Sequence, residues 1–241
     1  MSVIDLRGIV IREVDVNESN KMLTLLVKDR GKYSVLAKGA KKTKSKIFTV
    51  SQMFAYSDIT IFEKNNFNIL TQGDLIESFY SIREDFEKLC YSNYFLEIIN
   101  KTILEDVEVN SILKLLLNAL KKMCITSEPK LVFVTFQVKF LQLIGHNPPA
   151  TFCSSCNKPY TQSNKVYFGD QGLICPDCIS TTPRIHQVNH TFIYTLNYIY
   201  ENENIFNFHI PNSVINMLEK TLNDFIKINL DINLKSLEIL N

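Results

Sequence analysis

Four of the six cysteines form two Cys-x-x-Cys pairs, and this spacing restricts the fold of the chain more than any other feature. Eighteen residues separate Cys153 and Cys156 from Cys175 and Cys178. Each pair places two sulfurs on one tight turn, and two such turns complete a closed tetrahedral site of four thiolates. The spacing predicts a zinc ribbon that holds one structural Zn²⁺ per chain, with a short strand at Val166–Phe168. The alternative is a set of unligated cysteines.

The amino-terminal sequence favours a metal over disulfide bonds. Asp5 and Arg7 place charges where a secretory signal needs a continuous apolar segment, so we expect a protein of the reducing cytoplasm. The most apolar stretch, Leu131–Val138, lies between two lysines and is far shorter than the ~20 residues that a bilayer requires. We therefore expect no interaction with a membrane.

The sequence contains no arrangement of residues that is typical of an enzyme active site. A closed site of four thiolates has no open coordination position for catalysis. Gly31-Lys32 lacks the earlier glycine and the following hydroxyl residue of a phosphate-binding loop, so no bound nucleotide is expected. The four histidines are scattered, and His190 precedes a predicted helix, where it would act as a cap. We expect a protein that is not an enzyme.

The first 80 residues contain a series of β-branched and alternating segments separated by polar turns. Such segments are typical of strands, and five of them in a short region predict a small antiparallel β-barrel of the OB-fold type. The predicted strands are Val3–Val14, Lys21–Lys28, Lys32–Lys38, Phe48–Phe62 and Phe67–Ile76.

Residues 81–241 show helical rather than strand periodicity. Ser81–Glu84 has the sequence of a capping box, and apolar positions with helical spacing follow as far as Ile103. Further helices are predicted at Val109–Cys124, Pro129–Ile144, His190–Glu203 and Ser213–Ile228. The predicted fold class is therefore α+β multidomain, with an OB-fold DNA-binding domain at residues 1–80 and an all-helical domain at residues 81–241. The zinc module, residues 150–182, is an insertion in the helical domain.

Basic residues are concentrated in one part of the predicted barrel. Residues 21–64 contain ten Lys/Arg and three Asp/Glu, although the net charge of the whole chain is only +1. Such a run binds phosphate without reading base sequence, because each neutralised phosphate releases counterions. The alternative is a solvated loop that aids solubility. The predicted DNA-binding residues are Arg30, Lys32, Lys38, Lys41, Lys42, Lys44 and Lys46.

Two smaller groups of residues have alternative interpretations. Tyr33, Phe54 and Tyr56 are either base-stacking residues or part of the barrel core, and the core is the simpler assignment. Three cations lie close in sequence to the cysteine pairs: Lys158, Lys165 and Arg184. Offsetting the negative charge of four thiolates around one Zn²⁺ is a simpler role for them than DNA contact.

Several segments together resemble the RecO family of recombination mediators. They are the basic loop Lys38–Lys42, the Leu-Ile-Gly-His-Asn-Pro segment Leu143–Pro148, the first cysteine pair Cys153–Cys156, the Gly-Leu-Ile-Cys-Pro-Asp-Cys segment Gly172–Cys178, and the carboxyl-terminal Leu234–Leu240. The similarity extends over essentially the whole chain.

The resemblance implies a function in DNA repair. Members of this family bind single- and double-stranded DNA and anneal complementary strands. With the partner RecR they help RecA recombinase to displace single-strand-binding protein from DNA. The resemblance places the basic-loop role on Lys38, Lys41 and Lys42, and it implies a cytoplasmic, nucleoid-associated protein. Arginines that are common in the family's loop are lacking here.

Two other classes of function remain open from the residues alone. A zinc-ribbon protein of transcription or RNA processing would also carry a basic segment and no catalytic motif, and competition between RNA and single-stranded DNA would distinguish it. A metal-dependent nuclease would cleave labelled DNA in the presence of magnesium or zinc.

Overall fold

The computed structural model describes residues 2–64, 67–105, 107, 109–161, 165–182, 184–203 and 206–240. Its chain forms two compact units. One comprises the chain up to Ile125 together with the segment that starts at Leu234, and the other is Thr126–Asn233. The domain boundary at residue 80 stays a prediction. The two helices that follow the barrel belong to the same compact unit as the barrel.

The described residues form eight strands and six α-helices. The strands are β1 (Ser2–Asp15), β2 (Lys21–Val27), β3 (Gly31–Ala37), β4 (Tyr56–Lys64), β5 (Phe67–Glu77), β6 (Val166–Gly169), β7 (Gly172–Ile174) and β8 (Ile185–Val188). The helices are α1 (Phe86–Thr102), α2 (Asn110–Ile125), α3 (Pro129–Leu143), α4 (His190–Glu201), α5 (Asn212–Asn229) and α6 (Lys235–Leu240).

Strands β1 to β5 close into a barrel in the order β1-β2-β3-β5-β4, with β4 returning to β1. The neighbours are antiparallel except β3 and β5, which pair in parallel at Leu36 and Ile69. A bulge between Val10 and Arg12 lets the long strand β1 bend and pair with both of its neighbours. The barrel followed by a largely helical segment confirms the predicted α+β class with an OB-like first part.

Alternate residues of the five strands fill the barrel. The interior includes Val10, Leu23, Val35, Ile59 and Ile61, all of which are almost completely buried. Branched aliphatic side chains at every second position pack against each other inside the closed sheet, while their neighbours point outward. This alternation determines which side chains the outside of the barrel presents to a partner.

The strand predicted at Phe48–Phe62 was too long. Thr49–Ser51 is a 3₁₀ helix, and the strand begins only at Tyr56. Phe54 has a positive φ of 68°, which ends any extended conformation before it, and Val50 packs into one end of the barrel. The alternating pattern of residues 48–56 therefore does not mark a strand. It belongs to a connection with a 3₁₀ helix that packs against the barrel core.

The predicted capping box at Ser81–Glu84 was also wrong. These residues lie in the 3₁₀ helix Tyr80–Glu84, and helix α1 begins one turn later. Asp85 is its N-cap, with a side chain that accepts a hydrogen bond from the Lys88 N–H. Aspartate is as favourable an N-cap as serine. Ser81 cannot cap α1 because it lies within the 3₁₀ helix that precedes Asp85.

The chain returns to its first compact unit at α6. The Glu97 carboxylate on α1 accepts hydrogen bonds from the backbone N–H groups of Lys235 and Ser236 and from the Ser236 hydroxyl. Lys101, one turn away, forms an ion pair of 2.8 Å with the same carboxylate. Helix α6 is thereby fixed to α1, and this helix was not among those predicted.

The second unit combines helices α3, α4 and α5 with a three-stranded sheet in the order β7-β6-β8. Helix α3 is buried on nearly all sides, as its apolar sequence predicted, and it packs against both α4 and α5. Strand β6 confirms the predicted strand at Val166–Phe168, whereas β8 was not predicted. In the part of the chain that is described, no helix is long and apolar enough to cross a bilayer.

Candidate metal centre and nucleic-acid interface

The two cysteine pairs come together in the second unit. The Sγ atoms of Cys153, Cys156, Cys175 and Cys178 all lie within 4.8 Å of one another, and those of Cys156 and Cys175 are 3.7 Å apart. Four thiolates around one zinc ion, with Zn–S bonds of ~2.3 Å, require sulfur separations of ~3.8 Å. The cluster therefore fits a tetrahedral metal ion after minor adjustment of the side chains.

A tight turn presents the first pair. Asn157 has a φ of 58°, and its N–H donates to the Cys153 carbonyl at 2.9 Å, while the Cys153 N–H donates to the Lys158 carbonyl at 2.9 Å. Asparagine tolerates this left-handed conformation better than most residues. The turn directs the side chains of Cys153 and Cys156 to the same side.

The end of strand β7 presents the second pair. Cys175 follows the strand directly, and the 3₁₀ helix Pro176–Thr181 carries Cys178, whose N–H donates to the Cys175 carbonyl at 3.0 Å. The Ser154 N–H donates to the Leu173 carbonyl at 2.8 Å, which connects the two turns. The backbone thus holds the two pairs side by side.

The four thiols of the cluster differ in acidity. Burial opposes ionisation of Cys153, but backbone N–H groups of Cys175, Cys156 and Ser155 outweigh it and lower the pKa of Cys153 to about 6. Hydrogen bonding to Cys175 and Cys156, together with burial, raises the pKa of Cys178 to about 12. One thiolate forms readily, and a divalent cation would supply the positive charge needed to ionise the others.

The cations predicted to offset thiolate charge lie in different surroundings. Lys158 pairs with Asp177 at 2.8 Å, and that carboxylate, followed by Cys156 and Cys175, raises the pKa of Lys158. Lys165 lines a cavity of about 150 Å³ beside Cys153. Arg184 is exposed and does not line that cavity.

His190 does not cap helix α4, contrary to the prediction. The N-cap is Asn189, whose side chain accepts a hydrogen bond from the Phe192 N–H at 2.9 Å. His190 is the first residue of the helix, and its Nδ1 forms a hydrogen bond with the Tyr160 hydroxyl. Its role is to join α4 to the segment that follows the first cysteine pair.

Five of the seven predicted DNA-binding residues lie together in the connection between β3 and β4. All five residues are exposed at the surface: Lys38, Lys41, Lys42, Lys44 and Lys46. The connection is anchored to the β1–β2 turn, because the Gly39 N–H donates to the Asn20 side chain at 2.8 Å and the Lys41 N–H donates to the Ser19 carbonyl at 3.1 Å. We call Lys38–Lys46 the lysine loop.

Arg30 and Lys32 are not part of this group. The register of β2 and β3 places them at the opposite end of the strands, about 20 Å away at ~3.3 Å per residue. Arg30 is exposed, whereas Lys32 is half-buried and donates from Nζ to the Asn100 carbonyl at 2.8 Å. The hairpin is close in sequence to the lysine loop but distant from it on the barrel.

None of the three aromatic residues considered as base-stacking candidates presents a fully open ring. Phe54 is 1% exposed and lies under the Arg83 guanidinium, 5.5 Å from its ring centre. Tyr33 and Tyr56 are half-buried, and the Tyr33 hydroxyl donates to Glu63. Burial and that carboxylate raise the pKa of Tyr33 to about 12. The most exposed aromatic ring of the barrel strands is that of Phe67, which is 65% exposed at the start of β5 and was not among the three candidates.

Two family models match the chain. The model described as Recombination protein O N terminal covers residues 1–79, and Recombination protein O C terminal covers residues 83–238. The two matches meet close to the end of the barrel, and together they include both the lysine loop and the cysteine cluster.

Curated proteins named DNA repair protein RecO are similar over much or all of the chain. The protein from Acetivibrio thermocellus is 31% identical over 243 residues, which covers 100% of this chain and 97% of that protein. The one from Alkaliphilus metalliredigens is 30% identical, with 98% of each chain covered. The Bacillus subtilis protein is 32% identical over 178 residues, covering 73% of this chain and 69% of its own.

Proposed function

The chain belongs to the Recombination protein O family, and on that premise we propose that it is a non-enzymatic recombination mediator that binds single- and double-stranded DNA during repair. The observation that carries this proposal is the lysine loop. Five exposed lysines within nine residues stand on a closed barrel, in a chain whose net charge is only +1. Such local charge fits a polyanion better than it fits a general need for solubility.

The lysine loop would hold DNA by its phosphates. Each ammonium group that neutralises a phosphate releases condensed counterions, so affinity would fall steeply as salt rises. Lysine is a compact point charge without the planar fork of arginine, which suits contact that does not depend on base sequence. A mediator needs this property, because DNA damage occurs at arbitrary sequences.

Annealing would follow from the same charge. Two complementary strands repel each other through their phosphates, and lysines that neutralise both strands on one surface lower that repulsion. Pairing then becomes faster without a covalent step and without nucleotide hydrolysis. We propose that the protein acts in the cytoplasm on the nucleoid. With RecR it would help to load RecA onto DNA that is coated with single-strand-binding protein.

We further propose that the cysteine cluster binds one structural Zn²⁺ per chain. Cys153, Cys156, Cys175 and Cys178 would be its ligands, and four thiolates are a donor set that zinc prefers. Bound zinc would supply the positive charge that lets the thiols ionise together. The residues of the chain provide the rest: the backbone N–H groups around Cys153 stabilise its thiolate, and Lys158 contributes positive charge nearby.

An annealing assay tests the proposed function. Complementary strands, each coated beforehand with the cognate single-strand-binding protein, are mixed with and without the purified chain in the absence of nucleotide. We expect the chain to accelerate duplex formation. The control is a variant with Lys42→Glu and Lys44→Glu, which should anneal more slowly. Equal rates with and without the wild-type chain would refute the proposal.

A further inference from the structure

The four cysteines of the cluster differ in their access to solvent. Cys156 is exposed, Cys175 and Cys178 are half-buried, and Cys153 is only 1% exposed. The Cys153 sulfur also accepts a hydrogen bond from the Cys175 N–H at 3.3 Å. Burial and hydrogen bonding both hinder the attack of a sulfur on a solute, whereas an exposed cysteine remains reactive. A solute in water therefore meets the cluster first at Cys156.

Cys175 is placed to react with a modified Cys156. Their Sγ atoms are 3.7 Å apart, although the two residues belong to different turns and are separated by 19 positions in sequence. An S–S bond is ~2.05 Å long, so the two sulfurs must approach each other by roughly 1.7 Å. A modest rotation of each side chain about its Cα–Cβ bond supplies this movement. A disulfide can therefore join the two turns.

The small cavity beside the cluster reaches the second of these cysteines. It has a volume of about 150 Å³ and is lined by Cys153 and Cys175, while Thr161 and Lys165 add polar groups to its wall. A cavity of this size accommodates a few molecules as small as water. Hydrogen peroxide is only slightly larger than water, so it fits the cavity and comes next to Cys175. Cys156 is reached from the open surface.

An ion pair spans the two turns that carry these cysteines. Lys158 follows Cys156 by two residues, Asp177 follows Cys175 by two residues, and the Lys158 Nζ lies 2.8 Å from an oxygen of Asp177. The ammonium group of Lys158 is therefore held on the same side of the cluster as the two sulfurs. A nearby cation favours the thiolate, which is the reactive form of cysteine, and stabilises a hydroxide that leaves after attack.

We propose that the cysteine cluster is an oxidation site, at which hydrogen peroxide joins Cys156 to Cys175 through a disulfide bond and releases the bound zinc. This inference rests on the zinc site of the proposed function and does not depend on DNA binding. The disulfide connects the two Cys-x-x-Cys turns with each other. Cys153, which shares a turn with Cys156, is the least accessible of the four cysteines and is not the partner.

The oxidation takes place in two steps. The Cys156 thiolate attacks one oxygen of hydrogen peroxide, the O–O bond breaks, and a sulfenic acid forms as hydroxide leaves. The Cys175 thiolate then attacks the sulfur of Cys156, the S–O bond breaks, and a second hydroxide leaves as the disulfide forms. Two electrons have passed from the sulfurs to the peroxide, and two protons from solvent convert the hydroxides to water.

The oxidised cluster retains only Cys153 and Cys178 as thiolate donors. Two donors are too few for the four-coordinate site that structural zinc prefers, so the metal is lost. The turns nevertheless stay together, because the disulfide joins them and the Ser154 N–H donates to the Leu173 carbonyl at 2.8 Å. A disulfide within one turn would leave the two turns unconnected. The second unit therefore keeps its fold, and a reductant together with zinc restores the site.

The test follows zinc and sulfur in the zinc-loaded full chain after treatment with hydrogen peroxide. A chromogenic chelator measures the released zinc, and the intact mass shows the loss of two hydrogens for each disulfide. Fragmentation of peptides that have not been reduced identifies the joined cysteines. We expect the release of one zinc ion per chain, a disulfide between Cys156 and Cys175, and recovery of the full zinc content after addition of dithiothreitol and zinc.

Variants outside the four ligands serve as comparisons. Lys158→Gln should retain zinc in the absence of peroxide but release it several-fold more slowly when peroxide is added, because the nearby ammonium is missing. Lys220→Gln, which makes the same change at an exposed position of α5, should match the wild type. Cys124→Ser should also release its zinc at the wild-type rate, since Cys124 lies outside the cluster.

The outcomes separate this inference from the proposed zinc site. A wild-type chain that keeps both its zinc and its thiols in peroxide would overturn the inference and leave the zinc site intact. The same conclusion would follow from a disulfide within either turn, or from oxidation to sulfinic acid without any disulfide. A wild-type chain that binds no zinc before the treatment would remove both the site and the inference.

Discussion

Lys41 Nζ lies 2.7 Å from Asp15 Oδ2, so one cation of the lysine loop is paired with a carboxylate of the barrel itself. Both side chains are exposed or partly exposed, and the hydrogen bond from Lys41 lowers the pKa of Asp15. Asp15 remains ionised at neutral pH and competes with phosphate for Lys41. An exposed pair of this kind adds little to stability, so its main effect is on the charge available for DNA.

Asp15→Asn should therefore increase affinity for DNA. The substitution removes one negative charge and releases Lys41, and we expect binding at low salt to become a few-fold tighter, with a slightly steeper salt dependence. Fluorescence anisotropy across a salt series would measure both quantities. The control is Glu87→Gln, which makes the same charge change at an exposed position in the first turn of helix α1. An equal gain in both variants would mean that release of Lys41 has no separate effect.

Charge reversal in the lysine loop should weaken DNA binding at every sequence. If Lys42 and Lys44 each contact one phosphate, the double variant Lys42→Glu/Lys44→Glu should flatten the slope of log K against log salt. The expected change is about 1.4 for single strands and about 1.8 for duplex DNA. The double variant Lys114→Glu/Lys121→Glu on helix α2 has the same change in net charge at exposed positions. A slope that stays at the wild-type value would show that the loop is a solvated surface.

Removal of one thiolate should cost the second unit its metal. We expect Cys153→Ser to bind less than one zinc ion per chain and to melt several degrees below the wild type, because metal-binding energy in closed sites contributes to folding. Cys124→Ser, outside the cluster, should keep one zinc ion per chain. Metal content by elemental analysis and melting by circular dichroism give the two readouts. A Cys153→Ser protein with full zinc content and stability would contradict the assigned site.

The carboxylate that fixes α6 predicts a dependence of stability on pH. Burial opposes ionisation of Glu97, but Lys101 and the donors of Lys235 and Ser236 outweigh it and lower the pKa of Glu97. A folded-state pKa below the unfolded value of about 4.3 stabilises the fold above that pH, and the contribution is lost as pH falls through the folded-state value.

Glu97→Gln should accordingly lower the free energy of unfolding by ~1–2 kcal/mol at neutral pH. The difference from the wild type should shrink as the pH falls below about 4.3. Urea unfolding at several pH values would measure it. Glu18→Gln, at an exposed position in the β1–β2 turn, should show neither effect. A constant difference at all pH values would mean that the charge of Glu97 is unimportant.

Local sequence patterns predicted the parts of the fold that depend on neighbouring residues. Short segments of sequence were enough to predict the cysteine cluster, the strands β1, β2, β3 and β5, and the apolar helix α3. The errors arose where long-range packing determines the conformation. The alternation of residues 48–56 matches a strand, but Val50 and Phe54 are buried in the connection between β3 and β4. Nothing local distinguishes the two outcomes.

Sequence proximity was a poor guide to the candidate interface. The lysine loop is continuous in sequence and remains together in the structure, whereas Arg30 and Lys32 lie across the length of the barrel from it. Neighbours across the barrel strands could not be recognised from the sequence, because residues far apart along the chain become neighbours only through the strand register. Phe62 and Ile69 are seven residues apart, while Leu36 and Ile69 are thirty-three apart and pair directly.

The contact between α1 and α6 has a consequence for biosynthesis. The first compact unit contains residues from both ends of the described chain, so the ribosome must synthesise the entire second unit before the first can acquire its last helix. A nascent chain that has exposed only the barrel, α1 and α2 would still leave the Glu97 carboxylate without its partners on α6. We therefore expect the amino-terminal half to reach its full resistance to proteolysis only after residues 235–240 have left the exit tunnel.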